Sequence, residues 1–414
     1  MRIVVAVLPV KAHLNAVIPL AWALRGAGHE IVVTADWGPE RDAARHIAQA
    51  GLTAVPLGGE GDISPVRPGD HNESGFLALD PDDPDAAHWD RFHEAVRFLC
   101  TQVYAPDVPL GERHGLLRKL VAFTGAWKPD LVLWDMLMFP APVAARTCGA
   151  AHARLVWGAD TVAMLRARLR AASPGDPGAR WLAPLLAPYG LEFTERTLLG
   201  DWSVDLSRPH PYPAHGPTVP VRRIPYGGPA EYAPWLHEPR VRPRVVVTLG
   251  MTRQEVRLPG SAFPLRDFLD AAAGLDADLL LTLTGELGPL PDNVHAVGYV
   301  PFEQLLPSCA AIVHQGGRGT FAAAAACRVP QIVVPQPLWD ETATARQVVA
   351  YGAGLALELD GLDGGTLCEA LLRVLEEPGF WEGAERLYDD LMADPPPTHC
   401  VSRLEELAAI HLGS

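Results

Sequence analysis

The chain has 414 residues, of which 48% are hydrophobic and 20% are charged, and its formal net charge is −15. That length is ample for two domains, and the hydrophobic content excludes wholesale disorder. The negative charge argues against nucleic-acid binding, which needs a basic face, but it does not exclude a phosphate ligand, because backbone N–H groups can hold phosphate without net positive charge.

The six cysteines are scattered, and none has C-x-x-C spacing, so they indicate neither a zinc site nor a redox pair. Scattered cysteines in a long chain are typical of a reducing cytoplasm. The apolar run at residues 3–8 is too short to span a membrane, and no small-residue cleavage site follows it. We therefore expect a soluble, cytoplasmic protein.

The first half of the chain alternates between strand and helix patterns. Residues 3–8 predict a buried strand, and after a turn at residues 9–13 apolar residues recur at helical spacing until Gly28, with Pro19 tolerated in the first turn. Further strands are predicted at residues 31–34, 54–57 and 131–134, and residues 165–205 look helical. This alternation predicts a parallel sheet with helices on both faces.

A second strand and helix series begins at residues 244–249, with short strands predicted at residues 279–283, 295–297, 311–313 and 331–334. The sequence thus predicts two Rossmann-like halves, a first domain at residues 1–215 and a second at residues 244–398. The Pro-rich stretch between them, residues 216–243, is predicted as the linker. A helix at residues 399–414 is expected to pack back on the first domain.

The strongest motif follows the strand at residues 311–313 and precedes a helix. It consists of His314, Gln315, Gly316, Gly317, Arg318, Gly319 and Thr320. Closely spaced glycines let the backbone approach a ligand, and N–H groups at a helix start attract phosphate. An ordinary tight turn is the alternative, but it would not need three glycines together with His and Thr.

Asp340 and Glu341 follow the next predicted strand, at residues 331–334. Ligands of open α/β sheets bind at the carboxyl ends of the strands, where carboxylates could accept hydrogen bonds from a sugar. A helix N-terminus that favours acidic residues explains the pair equally well, and by itself that explanation would be preferred.

His13 and Asp135 also follow predicted strands. A neutral imidazole can take a proton from a hydroxyl near neutral pH, and a carboxylate can orient such a ring. A surface histidine and a helix-capping aspartate are the simpler explanations when each residue is considered alone. The acidic run at residues 80–85 has the spacing of a magnesium site, but its prolines favour a solvated loop.

Taken together, these residues resemble one known family. Residues 13–30, 129–132, 157–160, 225–229, 249–252, 297–301, 305–307, 313–320 and 329–331 are similar, in the right order, to motifs of actinobacterial antibiotic glycosyltransferases. The similarity covers nearly the whole chain and is closest to the subgroup that attaches deoxysugars to polyketides. It implies the α/β fold named GT-B, in which two Rossmann-like domains face each other across a cleft.

The resemblance also implies roles for individual residues. His13 falls on the family's catalytic base and Asp135 on the position that orients it. The diphosphate loop covers Gly316, Gly317, Gly319 and Thr320 together with His314 and Gln315. Thr252 falls near a loop that faces the phosphates, Val300 and Pro301 fall where the nucleotide base packs, and Asp340 and Glu341 fall on the sugar-binding pair.

Two residues depart from the family pattern. Gln315 stands where a second histidine is usual, so the loop keeps an N–H donor but lacks the positive charge. Stabilisation of the leaving group then depends more on the helix N-terminus, with Arg318 as a second candidate. Glu341 replaces the usual glutamine, and because Glu can pair with an ammonium group, we expect a deoxysugar donor, with an amino sugar as one form that would suit it.

The resulting expectation is an inverting, metal-independent hexosyl transfer from a thymidine-diphosphate (TDP) deoxysugar to a polyketide-type aglycone in antibiotic biosynthesis, without a cofactor. Some relatives need a helper protein that resembles a haem monooxygenase, which makes that partner an expectation here. The oligomeric state is open, with a homodimer as one form.

Two other functions remain alternatives: a nucleotide-sugar epimerase of similar fold, and a degenerate, non-catalytic transferase homologue. A nicotinamide dehydrogenase is the weakest alternative, because the first turn lacks the dinucleotide glycine pattern.

Overall fold

The structure is a computed structural model, and it describes residues 1–34, 42–57, 86–104, 115–172, 176–212, 214–239, 241–250, 263–283, 287–336 and 339–413. These residues divide into two compact units. The first contains Met1–Arg208, Tyr212–Arg223 and Asp394–Ser414, and the second contains Pro209–Pro211 and Ile224–Ala393.

The described part of the first unit is built on a parallel sheet with the strand order β3-β2-β1-β4-β5-β6-β7. The strands are β1 (Arg2–Ala6), β2 (Glu30–Thr34), β3 (Thr53–Val55), β4 (Leu131–Asp135), β5 (Ala151–Val156), β6 (Trp202–Asp205) and β7 (Thr218–Pro220). The central strands β4 and β5 are buried along their whole length, as expected for a parallel sheet covered on both faces.

The helices of this unit are α1 (Lys11–Gly26), α2 (Asp42–Gln49), α3 (Ala86–Phe98), α4 (Leu116–Trp127), α5 (Pro140–Cys148), α6 (Thr161–Ala172), α7 (Pro177–Leu186) and α8 (Glu195–Leu199). One turn of π-helix, Leu99–Val103, extends α3. The C-terminal helix also belongs to this unit, and His29 Nε2 lies 3.0 Å from Glu405 Oε1 on it.

The described part of the second unit has a parallel sheet with the order β10-β9-β8-β11-β12-β13. Its strands are β8 (Arg244–Val247), β9 (Asp278–Leu281), β10 (Val294–Ala296), β11 (Ala311–His314), β12 (Gln331–Val333) and β13 (Gly354–Ala356). Its helices are α9 (Leu265–Ala272), α10 (Phe302–Leu305), α11 (Arg318–Ala326), α12 (Glu341–Tyr351), α13 (Gly364–Glu376) and α14 (Gly379–Ala393), and the chain ends with α15 (Pro397–Gly413) in the first unit.

Both faces of the second sheet are buried. Val245 and Val247 belong to one core cluster with Phe268, whereas Val246 belongs to another cluster with Leu305. This alternation follows from the two-residue period of a strand, and it explains why the apolar run at residues 245–247 has no polar member.

Several sequence-based expectations need correction. Residues 216–223, which were predicted as the start of the linker, belong to the first unit and contain β7, and the second unit ends at Ala393. The predicted helical region at residues 165–205 ends in a strand, β6. Pro19 lies in the interior of α1, not in its first turn. A proline there removes one helical hydrogen bond.

Candidate active site

His13 and Asp135 meet because their strands are neighbours in the first sheet. Strand β1 pairs with β4 in parallel, with Ala6 opposite Trp134, so the chain after β1 and the end of β4 lie at the same edge. His13 follows in the first turn of α1, and Asp135 is the last residue of β4. The His13 Nδ1 atom is 2.6 Å from Asp135 Oδ2. The predicted dyad is therefore present in the first unit.

The Asp135 carboxylate is buried and accepts three hydrogen bonds. His13 Nδ1 and Trp157 Nε1 both reach Oδ2, at 2.6 and 3.3 Å, and the Leu137 N–H reaches Oδ1 at 3.0 Å. Because a carboxylate only accepts, the proton of a neutral His13 ring lies on Nδ1, which leaves the Nε2 lone pair as its base. The side chain of His13 is 13% exposed and that of Asp135 only 1%.

Two buried ionisable groups of the first unit, Tyr104 and Cys100, stay neutral near pH 7. Burial, reinforced by the negative charge of Asp135, raises the pKa of the Tyr104 phenol well above 10. Burial also raises the pKa of the Cys100 thiol. The Tyr104 hydroxyl donates to the Leu137 carbonyl at 3.1 Å, and thereby braces the turn that follows Asp135.

In the second unit, the glycine loop joins β11 to α11 as predicted. Gly316 has φ +104°, a region that side chains rarely adopt, and a Cβ there would lie 2.9 Å from the Glu341 carbonyl oxygen. Gly317 is the N-cap residue of α11, so the helix starts directly beyond the loop. The first N–H groups of a helix have no partner within it, and those of Gly319 and Thr320 lie in this first turn.

Gln315 is buried against the backbone of two glycines. A Cβ on Gly250 would lie 2.1 Å from its Nε2 atom, and one on Gly317 would lie 2.8 Å from it. Among the described residues, no atom forms a hydrogen bond with the Gln315 Oε1 atom. The Gln315 side chain therefore fits at the start of the predicted diphosphate site because residues 250 and 317 are glycines.

Both nitrogens of the His314 ring have partners within the second unit. Its ring is fully buried, the Gly316 N–H donates to Nδ1 at 3.1 Å, and Nε2 lies 2.9 Å from the Gln331 Oε1 atom. Burial lowers its pKa to about 4, so the ring is neutral. Both ring nitrogens are thus engaged inside the unit, where they hold the shape of the loop, and a contact between His314 and the nucleotide-sugar stays a prediction.

Arg318 is turned away from the role that the sequence suggested. Its guanidinium donates to Gln347 Oε1 at 2.8 Å and to the Pro209 carbonyl at 3.0 Å, and it lies over the Phe321 ring. Gln347 Nε2 donates to the same carbonyl at 2.6 Å. Arg318 thus anchors the Pro209–Pro211 segment.

Both members of the predicted sugar-binding pair already have protein contacts. Asp340 Oδ2 lies 3.3 Å from His210 Nε2 in the anchored segment, and both side chains are buried. Glu341 Oε2 accepts from the Gln336 N–H at 3.0 Å, which closes the turn before α12. His210 was missed in the sequence, because nothing in a proline-rich stretch indicates which element it will contact.

Val300 and Pro301 were predicted to pack against the nucleotide base. Val300 packs partly into the core cluster around Leu305, and Pro301 is buried and precedes α10. A Cβ on Gly227 would lie 3.1 Å from the Pro301 Cβ atom, and the Gly227 N–H donates to Glu303 Oε1 at 3.1 Å. The loop at residues 299–303 is therefore held by the segment around Gly227. Thr252 and the acidic run at residues 80–85 lie outside the described residues.

Two further features are absent from the described part of the chain. No group of three or more His, Cys, Asp or Glu side chains there could hold a metal ion. No helix in that part is both long enough and apolar enough to cross a bilayer.

Comparison with known proteins identifies the family. The N-terminal domain model described as erythromycin biosynthesis protein CIII-like matches residues 22–250, and the corresponding C-terminal domain model matches residues 266–407. The chain belongs to the erythromycin biosynthesis protein CIII-like family of glycosyltransferases.

Relatives in this family match from end to end. Aclacinomycin-T 2-deoxy-L-fucose transferase of Streptomyces galilaeus is 37% identical, over 99% of this chain and 97% of the relative. The 3-alpha-mycarosylerythronolide B desosaminyl transferase of Saccharopolyspora erythraea is 36% identical, over 99% of both chains. The similarity to antibiotic glycosyltransferases is thus confirmed over nearly the whole sequence.

Solved structures confirm the GT-B fold for this erythromycin biosynthesis protein CIII-like chain. The glycosyltransferase VinC in complex with dTDP has a TM-score of 0.83 and 35% identity, over 99% of this chain and 100% of that one. The spinosyn forosaminyltransferase SpnP has a TM-score of 0.81 and 32% identity, over 99% of each chain. The family assignment and the fold therefore agree.

Proposed function

We propose that this protein transfers a deoxysugar from a TDP-sugar to a hydroxyl group of a polyketide-type aglycone, with inversion at the anomeric carbon. The observation that carries the proposal is the His13–Asp135 dyad, which the fold assembles from residues far apart in a chain of this family. The donor and acceptor classes are supported by relatives such as TDP-daunosamine transferase and 10-deoxymethynolide desosaminyltransferase.

On the acceptor side, His13 is the general base. Its Nε2 lone pair takes the hydroxyl proton as the oxygen attacks the anomeric carbon. The buried Asp135 carboxylate stabilises the imidazolium that forms. The Asp135 carboxylate that positions the ring is itself held by hydrogen bonds from Trp157 and from the Leu137 N–H. The base is therefore already oriented before the acceptor arrives.

On the donor side, negative charge builds on the departing diphosphate. The N-terminus of α11 presents backbone N–H groups and the positive end of its dipole, so it stabilises that charge where it develops. Gln315 adds a neutral amide beside these groups. A base on one substrate and a charge-stabilising helix end on the other suffice for a single displacement, and we therefore propose a metal-independent reaction.

The test is a transfer assay with purified protein, a panel of TDP-deoxysugars, and aglycones that include aklavinone, tylactone and 10-deoxymethynolide. The expected product is one whose mass equals aglycone plus sugar, with an anomeric configuration opposite to that of the donor by NMR. Product formation in the presence of EDTA supports metal independence. Release or epimerisation of the sugar without transfer to any alcohol would contradict the proposal.

We also propose a helper protein and a homodimer as partners, and the two are tested separately. A parallel series includes a helper protein that resembles a haem monooxygenase, and an increase in rate on its addition would support that requirement. Light scattering on the purified protein distinguishes a monomer from a homodimer. Equal rates in both series would show that no helper is needed for transfer.

A further inference from the structure

Trp157 lies directly beside the proposed catalytic dyad. It follows β5, which pairs with β4 so that Asp135 is opposite Leu155. Trp157 is therefore two residues beyond the register partner of Asp135, at the same edge of the sheet. Its side chain is mostly buried, and sequence reasoning gave it no role beyond a place in a similar motif.

The indole contacts both members of the dyad. Its Nε1 atom donates to Asp135 Oδ2 at 3.3 Å, the same oxygen that accepts from His13 Nδ1. The indole and imidazole ring centroids are 4.1 Å apart, with an angle of 54° between the planes. An aromatic face within about 6 Å of a cation attracts it, so this ring favours the imidazolium that forms when His13 takes a proton.

The loop that carries Trp157 is held by buried charges. The Trp157 carbonyl accepts from Arg223 at 2.9 Å. Three residues further on, Asp160 pairs through both oxygens with Arg154, at 2.7 and 2.5 Å, and both side chains are completely buried. A fork of this kind fixes geometry as well as charge, so the indole has little freedom to leave the dyad.

We propose that Trp157 is a positioning residue for sugar transfer: it holds Asp135 and His13 in register through one shared oxygen and one ring contact. The inference rests on the proposed function, because it concerns the positioning of the same catalytic dyad. The indole N–H shares the charge of Oδ2, and the ring blocks the path along which the imidazole would turn off Asp135.

The test removes the indole N–H in two ways, with and without a change of ring shape. Trp157→Phe, and the chain with benzothienylalanine at position 157, which replaces the indole N–H by sulfur at nearly constant shape, are compared with wild type in steady-state transfer. We expect kcat to fall about 10-fold in both, the cost of losing a hydrogen bond to a charged group, with KM for donor and acceptor within about 2-fold of wild type.

The pH profile provides a second readout. Without the indole donor, His13 Nδ1 is the side-chain donor left on Asp135 Oδ2, so the pair formed with the protonated imidazole should be stronger and the ascending limb of kcat/KM should move to higher pH. Tyr104 and Cys100 do not contribute to that limb, because burial keeps both neutral there. A change that merely loosened the fold would lower kcat without moving the limb.

Trp202→Phe is the matched control. Trp202 is also buried in the first unit, and among the described residues its Nε1 atom has no hydrogen-bond partner. It should lose stability, measured by thermal unfolding, without moving the limb. The inference is overturned if the position-157 variants behave like Trp202→Phe, or if they raise KM for the acceptor while kcat is unchanged.

The design separates this inference from the proposed function. If wild type transfers no sugar, the proposed function fails. If wild type transfers sugar and Trp157→Phe and the benzothienylalanine chain retain its kcat and pH profile, only the role of Trp157 fails.

Discussion

His13 Nδ1 lies 2.6 Å from Asp135 Oδ2, although 122 residues separate them in the chain. The contact depends on two adjacent parallel strands, since β1 and β4 end at the same edge of the first sheet. Neither residue alone indicates catalysis, but this contact fixes the position of the proton on the His13 ring and leaves Nε2 as the base. The predictions for the first unit follow from this contact.

Replacing His13 by alanine should lower kcat by about 10²–10⁴-fold, the usual contribution of a general base, while donor affinity stays close to wild type. Product formation by mass spectrometry and TDP binding by calorimetry measure the two effects. His295→Ala, which removes a half-exposed histidine of the second unit, is the control and should leave both unchanged. Full activity of His13→Ala would show that another group accepts the proton.

Asp135→Asn should also lower kcat by about 10²–10⁴-fold. An amide at this position can donate to Nδ1 and thereby favour the tautomer whose Nε2 is protonated and no longer basic. Nitrogen NMR of the labelled His13 ring would report the tautomer directly. A variant that keeps the wild-type tautomer and the wild-type rate would contradict the orienting role of Asp135.

Gly316→Ala should impair donor binding and destabilise the second unit. The φ of +104° disfavours any side chain, and the new Cβ would approach the Glu341 carbonyl. Gly361→Ala is the matched control, because Gly361 has φ +72° but no heavy atom within 4 Å of the ideal Cβ position. We expect a loss of about 1–3 kcal/mol for both from backbone strain, with a loss of TDP affinity for Gly316→Ala alone.

Acid should destabilise the second unit through His314. Burial lowers its pKa from 6.5 to about 4, so between those two values the unfolded chain binds the proton and the folded chain does not. The stabilisation is thus complete above pH 6.5 and is lost as the pH falls towards 4, by about 1.4 kcal/mol for each pH unit.

Urea unfolding at pH 7 and pH 5 measures this dependence. His314→Gln should be less stable than wild type at pH 7, because a hydrogen bond to the loop is perturbed, but it should lose less stability between the two pH values. Burial also lowers the pKa of His152 in the first unit to about 4, so that unit keeps its own acid sensitivity in the variant. An unchanged pH dependence of the second unit would contradict the neutral state of His314.

Glu341→Gln should change donor preference. Glutamine can still accept from the Gln336 N–H, so the turn is retained while the negative charge is removed. If that charge pairs with an ammonium group, kcat/KM should fall about 10-fold for amino-sugar donors, the cost of losing a hydrogen bond to a charged group, and change little for neutral deoxysugars. Glu369→Gln, an exposed substitution in α13, controls for net charge. An equal loss of kcat/KM for both donor classes would contradict the pairing of Glu341 with an ammonium group.

The predicted and missed strands show how far local pattern reaches. Strands β1, β4, β8 and β11 are short apolar runs, and the sequence predicted all four. Strand β5 was missed because His152 and Arg154 interrupt its apolar pattern. Both side chains are nevertheless buried: Arg154 pairs with Asp160, and His152 Nε2 lies 4.0 Å from Asp201 Oδ2. A buried polar residue is indistinguishable from an exposed one until its partner is known.

The same limit applies to the candidate site. The glycine loop was predictable, because the turn between a strand and a helix needs a positive φ at Gly316, and the sequence shows this need as closely spaced glycines between two regular patterns. The inward orientation of His314 and the anchoring of Pro209–Pro211 by Arg318 were not predictable. Each of these depends on a residue in a different strand or segment, and spacing along the chain carries no information about such a contact.

The sequence by itself determined the order of the two α/β halves, the position of the glycine loop, and the residue types that could act as base and carboxylate. These are properties of local spacing, which backbone geometry converts directly into strands, turns and helix ends. Only the tertiary structure decided which hydrogen-bond donor meets which hydrogen-bond acceptor. One example is that Trp157 and His13 both contact the same oxygen of Asp135. The physical reason is that parallel strands bring together segments distant in sequence, and hydrogen bonds are set by ångström-scale distances that only this assembly defines.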